Sequence, residues 1–169
     1  MAPGQDVTMT DRFLHRRRVE FADTDVAGIM HFSNFFRFME VTEHAFYRSL
    51  GFSVHPFRRT GEPGPEPAVG WPRVHASADF RQPLHFEEEI EIELLVEEIR
   101  SKTIGYFFRF WKHPDREPDR REIAAVGRFT VVAVSMDPES GRMKAVAVPE
   151  EIRAVIQEAP EGSIPAAGS

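Results

Sequence analysis

Between Phe21 and Phe35 the chain reads Phe-Ala-Asp-Thr-Asp-Val-Ala-Gly-Ile-Met-His-Phe-Ser-Asn-Phe. Two carboxylates (Asp23 and Asp25), a glycine (Gly28), a histidine (His31) and a serine (Ser33) are thus gathered just ahead of a helical pattern. A helix start carries unpaired backbone N–H groups and the positive end of the helix dipole. A carbonyl oxygen directed there gains hydrogen bonds as negative charge builds on it. A carboxylate close by can attack the carbonyl carbon or activate a water molecule against it. Asp-Thr-Asp before a helix is equally ordinary turn and capping chemistry, so composition alone leaves both readings open. His31 is open in the same way, as a proton-transfer group or as a structural wall.

The elements that must hold these residues follow from periodicity. Phe13, Val19 and Phe21 share one parity and predict a first strand over Phe13 to Phe21. From Asn34 to Leu50, Phe35, Phe38, Met39, Ala45, Phe46 and Leu50 recur at helical spacing among Arg37, Glu40, Glu43, His44 and Arg48. One long helix is expected there, with Ser33 able to cap its start and Gly51 suited to the left-handed position beyond its end. Prolines and glycines between His55 and Pro72 read as a mobile surface loop. Val74, Ala76, Ala78 and Phe80 then alternate as a half-buried strand. Ile90, Ile92, Leu94 and Val96 alternate with Glu89, Glu91, Glu93 and Glu97, which predicts a strand with a solvated acidic face. Ile104 to Trp111 and Ile123 to Val134 are apolar on both parities, so both their faces should be covered, with another subunit as one candidate cover. Pro149 opens a short helix, and the chain from Ala159 reads as disordered.

Strands after the long helix follow one another without intervening helices, which requires an antiparallel sheet of about five strands with that helix across its apolar face. The expectation is a single α+β domain over residues 12–157 with flexible tails at 1–11 and 158–169.

Composition narrows the function classes. The 169-residue chain has no cysteine, which excludes disulfides, thiolate zinc sites and a thiol nucleophile, and fits a cytoplasmic protein. A net charge of -6 argues against nucleic-acid binding, and the short run Arg16-Arg17-Arg18 reads as a solvated strand face. No stretch approaches the ~20 apolar residues of a membrane helix. The histidines lack paired ligand spacing and no phosphate-binding glycine pattern occurs, so neither a metal nor another cofactor is expected.

Taken together, Phe21, Asp23, Asp25, Gly28, Ile29, Met30, Asn34 and Phe35 resemble the signature of the 4-hydroxybenzoyl-coenzyme A thioesterase group of hotdog proteins. The likeness continues through Arg37, Glu40 and Gly51 and into Asp79-Phe80-Arg81-Gln82-Pro83-Leu84, spanning about Arg16 to Val134. The resemblance implies a hotdog fold, in which a sheet wraps a central helix, and hydrolysis of an acyl-CoA thioester. It implies that Asp25 is the catalytic carboxylate and that Asp23 supports it. It also implies that backbone N–H groups near Phe32 and Ser33 polarise the thioester carbonyl, while Gly28 permits the close turn. Several bacterial members place a histidine where this chain has Phe32, its own being one position earlier at His31. Glu40 is a reserve carboxylate, Arg81, His85 and Lys102 are candidate partners for the coenzyme phosphates, and a homodimer or homotetramer is implied. Alternatives are an acyl-thioester hydratase or dehydratase with His31 moving the proton, and a module that binds acyl-CoA without turning it over.

Overall fold

The computed structural model describes residues 9–54, 57–64 and 66–166. Strand β1 (Arg12–Arg18) is followed by helix α1 (Phe32–Ser49). The short strands β2 (Phe52–Val54), β3 (Phe57–Arg59) and β4 (Val69–Gly70) come next. The long ones then follow as β5 (Arg73–Phe80), β6 (Glu89–Ile99), β7 (Thr103–Lys112) and β8 (Glu122–Val132). Strands β9 (Val134–Met136) and β10 (Met143–Ala145) precede a last helical turn, α2 (Glu150–Arg153). Five strands form the main sheet in the order β1-β6-β7-β8-β5, every neighbouring pair antiparallel. α1 lies across one face of this sheet, the arrangement the periodicity predicts.

The helix earns its place through a stripe at i, i+3, i+4 spacing: Phe35, Phe38, Met39, Thr42, Glu43, Phe46 and Tyr47 are all buried. They meet Ile90, Ile92, Leu94, Val96, Tyr106, Phe108, Phe110 and Phe129, each 2% exposed or less. Burying a side chain of that size stabilises by roughly 1.5–3 kcal/mol. Close approach of helix and sheet requires Gly127, because a Cβ there would stand 2.4 Å from Met39 Sδ and 2.9 Å from the Ser77 carbonyl. Gly51 takes φ +83 beyond the helix end, as its type predicts.

Four expectations are corrected. The helix begins at Phe32 and its cap is His31, not Ser33, because the imidazole accepts the Ser33 N–H. The proline-rich stretch carries β3 and β4, and Phe57 stacks on Phe52 while meeting Tyr47 and Trp71; His55 lies outside the described residues. The acidic face of β6 is not solvated: Glu91 and Glu93 are 6% and 3% exposed beneath Arg12, Arg16, Arg109 and Arg121. Trp111 adds an indole N–H to Glu93 at 2.8 Å. β5 is an edge strand, and its apolar residues Val74 and Phe80 are 63% and 51% exposed, so it is less buried than its alternation suggests.

The ends differ from the expectation as well. Residues 1–8 and 167–169 lie outside the described residues. Thr10 and Asp11 are tied in, Thr10 to Val155 and Gln157 and Asp11 to Val96, through backbone hydrogen bonds. Residues 158–166 run over the outer face of the sheet, where Ala159 and Ile164 pack on Leu95, Phe107 and Val126. That face of the two-sided apolar strands is therefore covered by the chain itself. No helix among the described residues is long and apolar enough to cross a membrane.

Candidate active site

Asp25 sits at the base of a tight loop between β1 and α1. Gly28 N–H donates to the Asp25 carbonyl at 3.0 Å, closing a four-residue turn in which Gly28 holds φ +75, a conformation that costs glycine nothing. The Asp25 N–H donates to Ile29 O at 2.9 Å, and one carboxylate oxygen accepts the Ala27 N–H at 2.8 Å. Main-chain bonds thus fix the position of the side chain, and its second oxygen is left for the cleft. Met30 N–H donates to Leu84 O at 2.7 Å, which fastens this loop to the turn after β5.

Asp23 does different work. Its carboxylate accepts the Glu20 N–H at 2.9 Å, and its carbonyl takes both the His31 N–H at 2.9 Å and the Asn34 side-chain amide at 2.8 Å. Asp23 and Asn34 together clamp the strand end to the first turn of α1. His31 Nδ1 lies 2.9 Å from Ser33 Oγ and 3.3 Å from Ser33 N, and its ring packs on Phe32 at 4.4 Å. The histidine nitrogen facing the helix is therefore committed to capping. Ser33 N–H is engaged by that cap, whereas Phe32 N–H, first in the helix, has no partner among the described residues.

A cleft of about 490 Å³ opens beside these groups. Asp25, Ile29, Met30, Phe32 and Phe35 line one side, and Phe80, Arg81, Gln82, Pro83 and Leu84 the other. Phe35 forms its floor against Phe80 and Phe110, with ring centroids 4.9 and 5.2 Å away. Arg81 supplies a cation that pairs with no carboxylate among the described residues. The cleft thus presents an ionisable carboxylate, an open amide at a helix start, an aromatic floor and a free guanidinium.

Other predicted residues stand elsewhere. Glu40 lies about two turns along α1, ~12 Å from its start at 1.5 Å per residue, and is 3.2 Å from Arg73. Arg73 also grips Glu43, which is 2% exposed, and lies over the Phe129 ring at 4.7 Å. Burial pushes the Glu43 carboxyl up to about 7, with the nearby Arg73 charge opposing the shift. Behind it Tyr47 and Tyr106 pair hydroxyls at 3.0 Å, and burial raises both phenols above their ordinary range. His85 bridges Ile29 through its backbone and directs its ring toward Glu88, at the margin of the loop. Lys102 lies in the β6–β7 turn, at the opposite end of the sheet from Phe80. Of the aromatic residues on α1 and in the stretch that follows it, Phe32 and Phe35 reach the cleft, whereas Phe38 and Phe57 pack in the core and Phe36 and Trp71 against it. Gln82 and Leu84 were not singled out as site residues. Their signal was the Phe80-to-Leu84 turn itself, whose proline stops β5 and folds the chain back over the cleft.

Comparison with known proteins agrees with this architecture. The profile of the thioesterase-like superfamily matches residues 19–156. The chain belongs to that superfamily. A 1,4-dihydroxy-2-naphthoyl-CoA hydrolase of Prochlorococcus marinus is 36% identical over 100 residues, 57% of this chain and 65% of the relative, so the match spans just under two thirds of that protein. Among solved structures, a 1,4-dihydroxy-2-naphthoyl-CoA thioesterase from Synechocystis superposes with a TM-score of 0.70 at 20% identity, covering 86% of this chain and 95% of that one. The 4-hydroxybenzoyl CoA thioesterase of Pseudomonas sp. strain CBS-3 gives 0.68 at 21%, covering 86% and 99%. At such identities these two superpositions speak for the fold, which is the hotdog. Within this thioesterase-like chain, the signature residues Asp23, Gly28 and Asn34 turn out to be the ones that build the Asp25 loop.

Proposed function

We propose that this thioesterase-like protein hydrolyses acyl-CoA thioesters in the cleft between Asp25 and the start of α1. The observation that carries the reading is the pairing in one cleft of a carboxylate with a free oxygen and an uncommitted helix-start amide, that of Phe32. A thioester carbonyl directed at the Phe32 N–H gains a hydrogen bond and the favourable end of the helix dipole as its oxygen becomes negative. Asp25 acts on the carbonyl carbon, either by adding to it or by taking a proton from the water that does. Collapse of the tetrahedral species breaks the C–S bond and releases the thiol, which leaves readily as a thiolate; where Asp25 itself has added, water then hydrolyses the resulting mixed anhydride to free acid and restores the carboxylate. Phe32, Phe35 and Phe80 receive the acyl group by excluding water from an apolar surface, and Arg81 at the rim suits the phosphates of the coenzyme.

A hydratase reading is disfavoured because His31, its proton carrier, commits Nδ1 to the helix cap and is not among the residues that line the cleft. Assembly through the free edge of β5 is part of the proposal: an unpaired edge strand with exposed Val74 and Phe80 is a surface that a second copy covers by strand pairing.

The test is thiol release from short, long and aromatic acyl-CoA esters by the wild type and by Asp25→Asn. A loss of at least ~100-fold in turnover, with the fold intact by circular dichroism, is expected. Undiminished hydrolysis by the variant would sink the assignment of Asp25, and unchanged acyl-CoA bound by the wild type would make this a binding module.

A further inference from the structure

The wall of the cleft that faces Asp25 is not a strand or a helix but the turn between β5 and β6, of which Gln82, Pro83 and Leu84 line the cleft. At its start the Arg81 and Gln82 N–H groups both donate to the Ala124 carbonyl, at 2.8 and 3.0 Å, so β8 fixes where the turn leaves the sheet. At its end Val19 takes hold, accepting the Glu87 N–H at 2.8 Å and donating to the Glu88 carbonyl at 2.9 Å. Glu87 passes through φ +66 there, a left-handed conformation that a residue with a Cβ adopts only under restraint. Between these two anchors lies the cleft wall itself, and proline removes one N–H from it.

A lysine from the middle of the sheet supplies the hold between them. Lys112 ends β7, the central strand, and its side chain is 11% exposed. Its ammonium donates to the Pro83 carbonyl at 3.0 Å and stands 3.2 Å from one Glu88 carboxylate oxygen. The other Glu88 oxygen accepts the His85 N–H at 2.9 Å. One charged pair thus grips the turn at Pro83 and His85, on either side of Leu84, which is fully buried. Hydrogen bonds to an ionised group shielded from water are among the stronger ones. Leu84 carries the hold onward: its carbonyl accepts the Met30 N–H at 2.7 Å, His85 pairs with Ile29, and the Ile29 carbonyl accepts the Asp25 N–H at 2.9 Å. From the Lys112 ammonium to the Asp25 main chain the path is three hydrogen bonds, joined through the neighbours Pro83–Leu84 and Ile29–Met30.

We propose that Lys112, held by Glu88, is a positioning residue for hydrolysis: it sets the separation of the two cleft walls and, through Leu84 and Met30, the placement of the Asp25 carboxylate. This rests on the reading of Asp25 as the reacting carboxylate. Lys112 is not among the residues that line the cleft, so its influence passes through the turn. Without the ammonium, the Pro83 carbonyl and the Glu88 carboxylate lose that partner, and the turn loosens where it holds Met30. A misplacement of about 1 Å between reacting groups can cost on the order of 100-fold in rate, so a tether of this kind registers in turnover.

The experiment compares Lys112→Met, which keeps an unbranched side chain without its charge, with Lys112→Arg, which keeps the charge and a donor. Thiol release is measured per folded molecule, well below the unfolding temperature, and amide hydrogen exchange is followed by NMR. Lys112→Met should lower kcat about tenfold while KM moves less than about threefold. Exchange of the Met30 amide should quicken at least ~10-fold, while that of Gln82, held by β8, keeps its wild-type rate. Lys112→Arg should recover most of both losses. A kcat within about twofold of wild type for Lys112→Met would overturn the proposal, as would an unchanged Met30 amide or an arginine variant as slow as the methionine one. Should Lys112→Met fail to fold, Glu88→Gln carries the same readouts, with a kcat loss of about threefold expected and none overturning the proposal. If the wild type releases no thiol from any ester, the hydrolytic reading fails by itself, and Met30 exchange still decides whether Lys112 holds the Asp25 loop.

Discussion

Helix α1 carries two acidic neighbourhoods, one at its start and one at its middle, and they differ in what their charges have left to give. At the middle, Glu40 and Glu43 are both engaged by Arg73, and Glu43 is sealed between α1 and the sheet. At the start, Asp25 spends one oxygen on a turn amide and keeps the other facing a cleft with an N–H and a guanidinium that find no partner among the described residues. The lesson is that free hydrogen-bonding capacity marks a site, whereas a carboxylate alone does not. A buried acid with its partner in place is architecture.

That contrast can be broken from the architectural side first. Glu43→Ala, measured by denaturant unfolding at pH 8, should cost about 3 kcal/mol, because it strands a largely buried arginine; a loss below ~1 kcal/mol would mean that Glu40 alone satisfies Arg73. The same residue predicts a pH dependence of similar size. Its folded value, about 7, stands above its ordinary 4.5, so the protonated form is favoured by folding. This contribution is complete below about pH 4.5 and is lost as pH rises through 7, amounting to about 3 kcal/mol at 1.36 kcal/mol per unit. Glu43→Gln should flatten that portion of the stability profile, and an unaltered profile would assign the slope to other groups.

Smaller effects sharpen the comparison at the helix start. His31→Ala should lower stability by about 1 kcal/mol through loss of the cap, and reduce turnover by roughly tenfold as the Phe32 amide loses its alignment. His31→Asn, which keeps an acceptor, should recover most of both. Failure of asparagine to rescue turnover while rescuing stability would give His31 a part in the chemistry. Glu40→Gln should change turnover less than about twofold, since its partner Arg73 stands at the end of β5 opposite the cleft residue Phe80 and Glu43 still holds it; a larger loss would return Glu40 to contention.

Periodicity made the five-strand sheet and the single long helix legible, because Ile90 to Val96 alternate and Phe35 to Phe46 recur at helical spacing. The signature singled out Asp25, the carboxylate on which the proposed hydrolysis rests. What the sequence hid was pairing over long separations. Glu91 and Glu93 look solvated until Arg12 and Arg109 arrive from neighbouring strands and Arg121 from the connection before β8, and Glu43 looks solvated until Arg73 does. Low apolar content made 158–166 look disordered, yet it docks through carbonyls, which every residue possesses and no composition reveals. The capping role of His31 was hidden for a related reason: histidine is a rare cap, and the serine two positions later is the expected one.

The Trp111 indole, bonded to Glu93 on the outer face, gives the molecule a built-in optical reporter. Its companion Trp71 is packed against Tyr47 and Phe57 on the opposite side of the sheet. Trp111 lines one of the clefts beside segment 158–166, so its emission senses the wetting of that surface, whereas Trp71 emits from beside the core. With Trp71→Phe in place, the wavelength of the remaining emission becomes a direct readout of whether the outer face is dry, without any label being added.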